Sequence, residues 1–200
     1  LDGDNKQDLD SIGGSIRLRW DFDRVTLHSV TGYESVEIYS EGDIDGGFGA
    51  FFLPNSGPGF IAFAAQSADG LSDHSQFTQE FRLESREWGA FDWQAGVYYF
   101  DEDITIDSFS YDVLFAGGAQ DGYAVQDQQN KSWAVFGSVE YDLSDSFTLR
   151  AGLRYTDDEK DFTAQRFQSP FFQASNGALP TGVMSVSPSD DDFTWDVSGT

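Results

Sequence analysis

The sequence contains no cysteine, a single methionine and only two histidines, and its 11 basic residues face 35 acidic ones, for a formal charge of −24. Each shortage closes off a class of function. Without cysteine there is neither a disulfide framework nor a thiolate metal site. His28 and His74 alone make a poor start for a zinc centre. So few lysines and arginines exclude a phosphate-binding surface for nucleic acid, and the acidity opposes attraction to an anionic membrane surface. No run of about twenty apolar residues is present, so no transmembrane helix is expected. No basic segment followed by an apolar stretch marks a signal peptide. A membrane barrel escapes both exclusions, because its strands are short and only half apolar.

Catalytic patterns are missing too. No G-x-S-x-G elbow occurs. Carboxylate pairs such as Asp157 with Asp158 or Asp101 with Asp103 are too common here to single out a glycosidase. The fragment "DIDGG" (43–47) lacks the remaining ligand positions of a calcium loop, so solvated loop charge is the plainer reading of "EGDIDGG", "DDEKD" (157–161) and "DDD" (190–192). The expectation is a non-enzyme without a metal or cofactor. An aromatic content of 16% argues against disorder despite the charge. The chain opens on Leu1 and closes on "FTWDVSGT", which reads as a strand cut short, so an internal piece of a longer protein is expected.

What the sequence does hold is alternation of period two. "WAVFGSVEYDLSDSFTLRAGLRY" (133–155) places Trp133, Val135, Gly137, Val139 and Tyr141 on one face of a strand. After a polar turn, Phe147, Leu149, Ala151, Leu153 and Tyr155 continue that face. Strands of the same kind are expected at about 12–22, 25–35, 76–86 and 92–101, with a seventh from Phe193. Short turns follow strands one, three and five, and long connections (36–75, 102–131, 161–192) follow two, four and six. Loops beyond about fifteen residues are uncommon in compact soluble domains. Their strict alternation with tight turns puts all long connections at one end of the sheet, as in transmembrane barrels with short periplasmic turns and long extracellular loops.

Aromatic placement agrees. Three apolar stripes, 25–33, 133–141 and 147–155, each have ends eight residues apart. At about 3.3 Å per residue and a tilt near 45°, eight steps cover about 19 Å of bilayer normal, close to the apolar band of a barrel. Tyr33, Tyr99, Trp133 and Tyr155 mark one edge, and Trp20, Trp93, Tyr141 and Phe147 the other, with small or aliphatic residues between. These eight are the candidate lipid-interface aromatics. The alternate positions Arg17, Arg19, Glu80, Arg82, Glu84, Glu140, Arg150 and Arg154 are the candidate lumen-facing charges. Aromatics in the expected loops, Phe48, Phe51, Phe52, Phe60, Tyr111, Phe115, Phe171 and Phe172, are the candidate ligand contacts. A soluble β-sandwich carbohydrate-binding module and a passive porin-like barrel stay open on these grounds.

The phrases "FTQEFRLES…WQAGVYYFDED" (77–103), "WAVFGSVEYDLSDSFTLRAGLRYTDDEKDF" (133–162) and "RVTLHSVTGYES" (24–35) resemble the barrel of TonB-dependent receptors. The resemblance covers about half of the chain and none of the long connections. It implies an all-β, antiparallel, up-and-down transmembrane segment of about seven strands, with residues 1–200 an incomplete barrel domain. It further implies a multi-pass bacterial outer-membrane protein surrounded by outer-membrane lipid. Such a receptor takes up a bulky scarce nutrient from outside the cell, such as a ferric siderophore, cobalamin or an oligosaccharide. An inner-membrane complex supplies the energy through a plug domain, and no plug or coupling motif is found in this sequence.

Overall fold

The computed structural model describes residues 4–51, 53, 59–61, 64–86, 88–111, 119–168 and 182–200. Among them every regular element is a strand. They are β1 (Lys6–Asp21), β2 (Val25–Asp43), β3 (Gln66–Ser85), β4 (Phe91–Tyr111), β5 (Gln120–Ser144), β6 (Phe147–Gln168), β7 (Met184–Val186) and β8 (Ser189–Gly199). All pairings are antiparallel and run β1-β2-β3-β4-β5-β6, with β7 and β8 both against β6. β8 pairs with Leu149–Glu159 and β7 with Phe162–Ala164. Between them Pro188, which has no N–H to give, accepts from Lys160 N at 3.0 Å. β7 and β8 are therefore one stave interrupted at a proline, and seven staves stand side by side, the number that the alternation predicts. The sheet is open: the outer edges of β1 and β8 carry no partner among the described residues.

There is almost no core. Among the described residues, Ala68 and Ala134 are the buried apolar side chains, and no large side chain is fully buried. A soluble sandwich of this size would hide many of its aromatics; here Trp20, Tyr33, Trp133, Tyr141, Phe193 and Trp195 are all exposed. What organises the sheet is register. One row of directly opposed residues reads Trp20, Leu27, Leu83, Ala95, Gly137, Leu153, Trp195 across seven staves. The next reads Leu18, Ser29, Phe81, Val97, Val135, Tyr155, Phe193. The apolar sets expected strand by strand thus merge into one continuous, largely exposed face, with Ser29 buried within it.

The short turns lie where expected, at 22–24, 86–90 and 145–146. Gly89 turns with φ +77°, Arg86 N donates to Arg24 O at 2.9 Å, and the Trp88 indole N–H donates to the same carbonyl at 2.9 Å. Neighbouring turns are in this way tied to each other.

The long connections need correction. Instead of 36–75, 102–131 and 161–192, the strands run on and the connections are 44–65, 112–119 and 169–183. β1 likewise begins at Lys6 and not near residue 12. His74 lies within β3, "DDEKD" within β6 and "DDD" within β8, so none of these is loop. Segments such as "DEDITIDSFSY" and "QDGYAVQDQQNKS" are polar or mixed on both faces, so they offer no apolar stripe to detect. They stay extended because their neighbours present an aligned row of backbone partners, which needs no hydrophobic pattern.

One pairing inside the sheet is sterically demanding. Gly96 stands directly opposite Phe136, whose ring covers it. A Cβ there would come within 2.5 Å of Phe136 Cζ and 2.7 Å of the Phe81 carbonyl, and the backbone atom has no easy way to yield. Gly14 in β1 is the opposite case, with nothing within 4 Å of an added Cβ. Gly96→Ala should destabilise the full-length barrel by on the order of 1–3 kcal/mol. Gly14→Ala should be neutral or stabilising by up to about 1 kcal/mol. Urea midpoints of the two refolded variants check the contrast, and equal midpoints would contradict it.

Candidate functional site

The pleat sorts the side chains onto two faces with different chemistry. On the apolar face, ring pairs tie neighbouring staves near the long-connection end. Phe77 lies 6.4 Å from Tyr99, Trp133 5.4 Å from Tyr155, and Tyr155 4.7 Å from Phe193. Tyr33 is directly opposite Phe77, and Tyr99 is directly opposite Trp133. Near the short turns, Trp93 meets Trp88 edge-on at 5.8 Å, Tyr141 faces Phe91, and Trp20 and Phe147 are exposed. The eight aromatics read as two girdles therefore share one face, in two bands toward opposite ends of the strands.

The other face carries the charges. Arg82 sits between Glu84 at 3.0 Å and Glu80 at 3.7 Å, and Glu84 also meets His28 Nε2 at 3.0 Å. Arg19 and Arg86 converge on Asp21 at 2.9 and 3.9 Å, and Thr26, itself buried, donates to the same carboxylate at 2.8 Å. Arg154 stacks over Tyr98 and Phe136, 5.8 and 5.9 Å from the ring centroids, and donates to Thr156 Oγ1 at 3.0 Å. Glu140 and Arg150 are opposed in register and line one hollow with Glu84, Asp92, Gln94 and Ser138. Arg17 stands opposite Val30. All eight charges read from alternation share this polar face, and their contacts run mostly to one another or to neighbouring polar groups.

Farther along the same face, beyond the upper aromatic band, the polar network continues. His74 Nε2 lies 3.1 Å from Glu102, Asn130 donates to Glu102 at 2.7 Å, and Gln128 donates to Asn130 at 3.2 Å.

The connection 44–65 is the described part nearest a ligand-binding loop. Asp45 organises its base, accepting from Gly47 N at 2.6 Å and Ala65 N at 3.1 Å. Gly49 N donates to Ile61 O and Ile61 N to Ala50 O, which brings Phe51 and Phe60 into a bridge. Phe48, Phe51 and Phe60 are exposed, the last two by 70% and 60%. Phe52, Phe115, Phe171 and Phe172 lie outside the described residues. Tyr111, expected in a loop, is the last residue of β4. It joins Tyr123 and Phe167, which fall in the long connections expected from the sequence but stand on β5 and β6, and Tyr39 and Phe109, which sequence reasoning missed; all are on strands. Their signal was the alternation Thr105, Asp107, Phe109 and Val125, Tyr123, hidden because aspartates occupy the same stripe.

Tyr39 and Tyr123 lie beyond the apolar band. Hydrogen bonding with Tyr111, then burial, then the Glu41 carboxylate, which accepts the Tyr39 proton at 3.1 Å, push the Tyr39 phenol above its ordinary value. For Tyr123 the first cause is the hydrogen bond to Asp107 at 2.8 Å and the second is burial.

The arrangement defines a class: one stretch of the wall of an antiparallel, up-and-down membrane barrel, with one apolar and one polar face. The family model described as "TonB dependent receptor-like, beta-barrel" matches residues 1–198, and the chain belongs to that family. TonB-dependent receptors are outer-membrane β-barrels and transport receptors. A search of curated proteins finds no match. Among solved structures, the chain is similar to the ferric yersiniabactin uptake receptor FyuA of Yersinia pestis. The TM-score is 0.70 at 12% identity, over 98% of this chain and 26% of that one. It is also similar to the ferric-catecholate import receptor Fiu of E. coli K12. The closed form gives a TM-score of 0.61 at 14% identity over 98% and 31% of the two chains, and the open form 0.61 at 13% over 98% and 33%. The chain thus spans between a quarter and a third of the length of these receptors.

Both raised phenols favour the protonated form in the fold. Below the ordinary tyrosine value of about 10 their contribution to stability is complete, and it is lost as pH climbs through the higher folded values. An ultraviolet phenolate titration of the full-length barrel should show a late-titrating fraction above pH 10, and Tyr39→Phe should remove its last part. A titration in which all tyrosines ionise together near 10 would contradict this.

Proposed function

We propose that the chain is a section of the wall of an outer-membrane receptor that takes up a bulky, scarce nutrient, with a ferric siderophore as the first candidate. In this reading the apolar face meets lipid and the polar face lines the lumen. There the charge network around Arg82 and Glu84 shapes the wall and contacts the plug. The observation that carries it is the single exposed apolar face running through seven staves, with aromatic pairs toward both of its ends, on a chain of this family. The siderophore assignment takes its support from FyuA and Fiu, whose names state ferric yersiniabactin uptake and ferric-catecholate import. Energy reaches the receptor from an inner-membrane complex through its plug domain.

The exposed phenylalanines of the 44–65 connection suit flat ligands, and they favour a second reading within the same site: an oligosaccharide, whose ring faces stack as aryl groups do. The test uses the full-length receptor in a strain stripped of its own siderophore receptors. Uptake of labelled ferric siderophore that stops when the inner membrane is de-energised supports the proposal. Uptake that persists would mark a passive pore. Replacing Phe51 and Phe60 together with alanine should weaken ligand binding by roughly 5- to 100-fold at about 0.5–1.5 kcal/mol per ring. Unchanged binding would remove these side chains from the site.

A further inference from the structure

The wall does not stop where the apolar band ends. Tyr99 and Trp133, a facing pair in its upper aromatic row, are followed on the same stripe of β4 and β5 by Asp101, Asp103 and Asp107, and by Asp127. Farther still comes a row of rings. Phe109 stacks on Tyr123 at 5.1 Å, Tyr123 stacks on Phe167 at 5.5 Å, and Tyr39 leans toward Phe109 at 6.5 Å. β4 and β5 keep one register without a shift from Phe91 to Ser110, so Phe109 and Tyr123 project from the same face as Tyr99 and Trp133. Four strands contribute, β2, β4, β5 and β6.

Ten residues separate Tyr99 from Phe109. At about 3.3 Å per residue and a tilt near 45°, the ladder stands about 23 Å beyond the upper girdle along the membrane normal. The headgroup layer of an ordinary bilayer adds only about 5–8 Å on each side of the hydrocarbon. Phospholipid ends well below these rings. The face is nonetheless continuous with the lipid-facing band, so what borders it is whatever projects from the same leaflet.

The ring chemistry narrows the occupant. The ladder offers flat apolar surfaces, with Phe167 46% exposed, fringed by carboxylates and hydroxyls. Tyr39 donates to Glu41, Tyr123 to Asp107, and Asp8, Asp10 and Glu37 border the hollow that Tyr39 and Phe109 line. Aromatic faces stack on the C–H faces of sugar rings, and carboxylates accept from sugar hydroxyls; the same carboxylates repel anionic groups. We propose that the ladder Tyr39–Phe109–Tyr123–Phe167 is a docking surface for the oligosaccharide headgroup of an outer-leaflet glycolipid. It anchors the receptor laterally, on the outside of the wall and away from the transported ligand. The inference rests on the membrane reading above.

The experiment uses the full-length receptor in nanodiscs of phospholipid doped with lipopolysaccharide. The glycolipid carries either its complete oligosaccharide or only its innermost sugars. Insertion is scored first, by heat-modifiable gel mobility; failure to insert would sink the membrane reading itself. With insertion normal, the complete glycolipid should be retained about tenfold more tightly than the truncated one, as expected for two or more stacked rings. The double substitution Phe109→Ser with Tyr123→Ser should abolish that difference, and Tyr123→Trp should keep it. Equal retention of the two glycolipids by the native receptor overturns the inference. So does competition by the free oligosaccharide as strong as by the intact glycolipid, which would assign the ladder to soluble glycans.

Discussion

Register is the constraint on which everything else here depends. A strand changes face at every residue, so a slip of one position anywhere between β1 and β8 would bring an apolar stripe onto the polar face and a charged one onto the apolar face. The sheet has no packed interior to correct such an error, since among the described residues only Ala68 and Ala134 are buried apolar side chains. The alignment is instead held by backbone ladders and by side chains that recognise their opposite numbers. Gly96 beneath the Phe136 ring, Arg154 over Tyr98 and Phe136, and the aromatic pairs of the outer girdle each fit one alignment only. In lipid this matters doubly, because a backbone group without its partner has no water to turn to.

The same constraint accounts for the distance between sequence and shape among related proteins. At 12% identity to FyuA, few side chains are shared, yet nearly the whole chain superposes on a quarter of that receptor. A barrel wall needs alternation, tight turns at one end and strand lengths that match. It does not need a particular jigsaw of core residues, because it has almost no core. Sequence is therefore free to drift wherever the pattern is kept.

That also explains what could be read from the residues alone. The strand cores around Trp133–Tyr141 and Phe147–Tyr155 were legible because lipid demands one apolar residue in two. The short turns were legible because they interrupt that rhythm. Beyond the girdles the demand disappears, and Asp103, Thr105 and Asp107 continue β4 with no pattern to announce it. The alternation therefore overestimates the long connections, and Tyr111, Tyr123 and Phe167 fall within them although they stand on strands. The charges of the polar face were found by position, but their partners were not. Which residue faces which across a sheet depends on hairpin registers, and the β-bulge at Ser72 in β3 shows how a single extra residue resets them.

That bulge has a mechanical meaning. Ser72 is unmatched on both sides, against β2 and against β4, a short way beyond Phe77 and the upper aromatic row. Its hydroxyl donates to the Thr105 carbonyl at 3.4 Å, so the fault is partly stitched to its neighbour. A bulge sharpens local twist and bends its strand. The wall thus carries a crease between its lower and upper storeys. Below the crease the staves obey the thickness of the bilayer; above it they can flare or lean without disturbing the girdles. The upper storey is in this sense a separate part of the wall, set off from the band below by one extra residue.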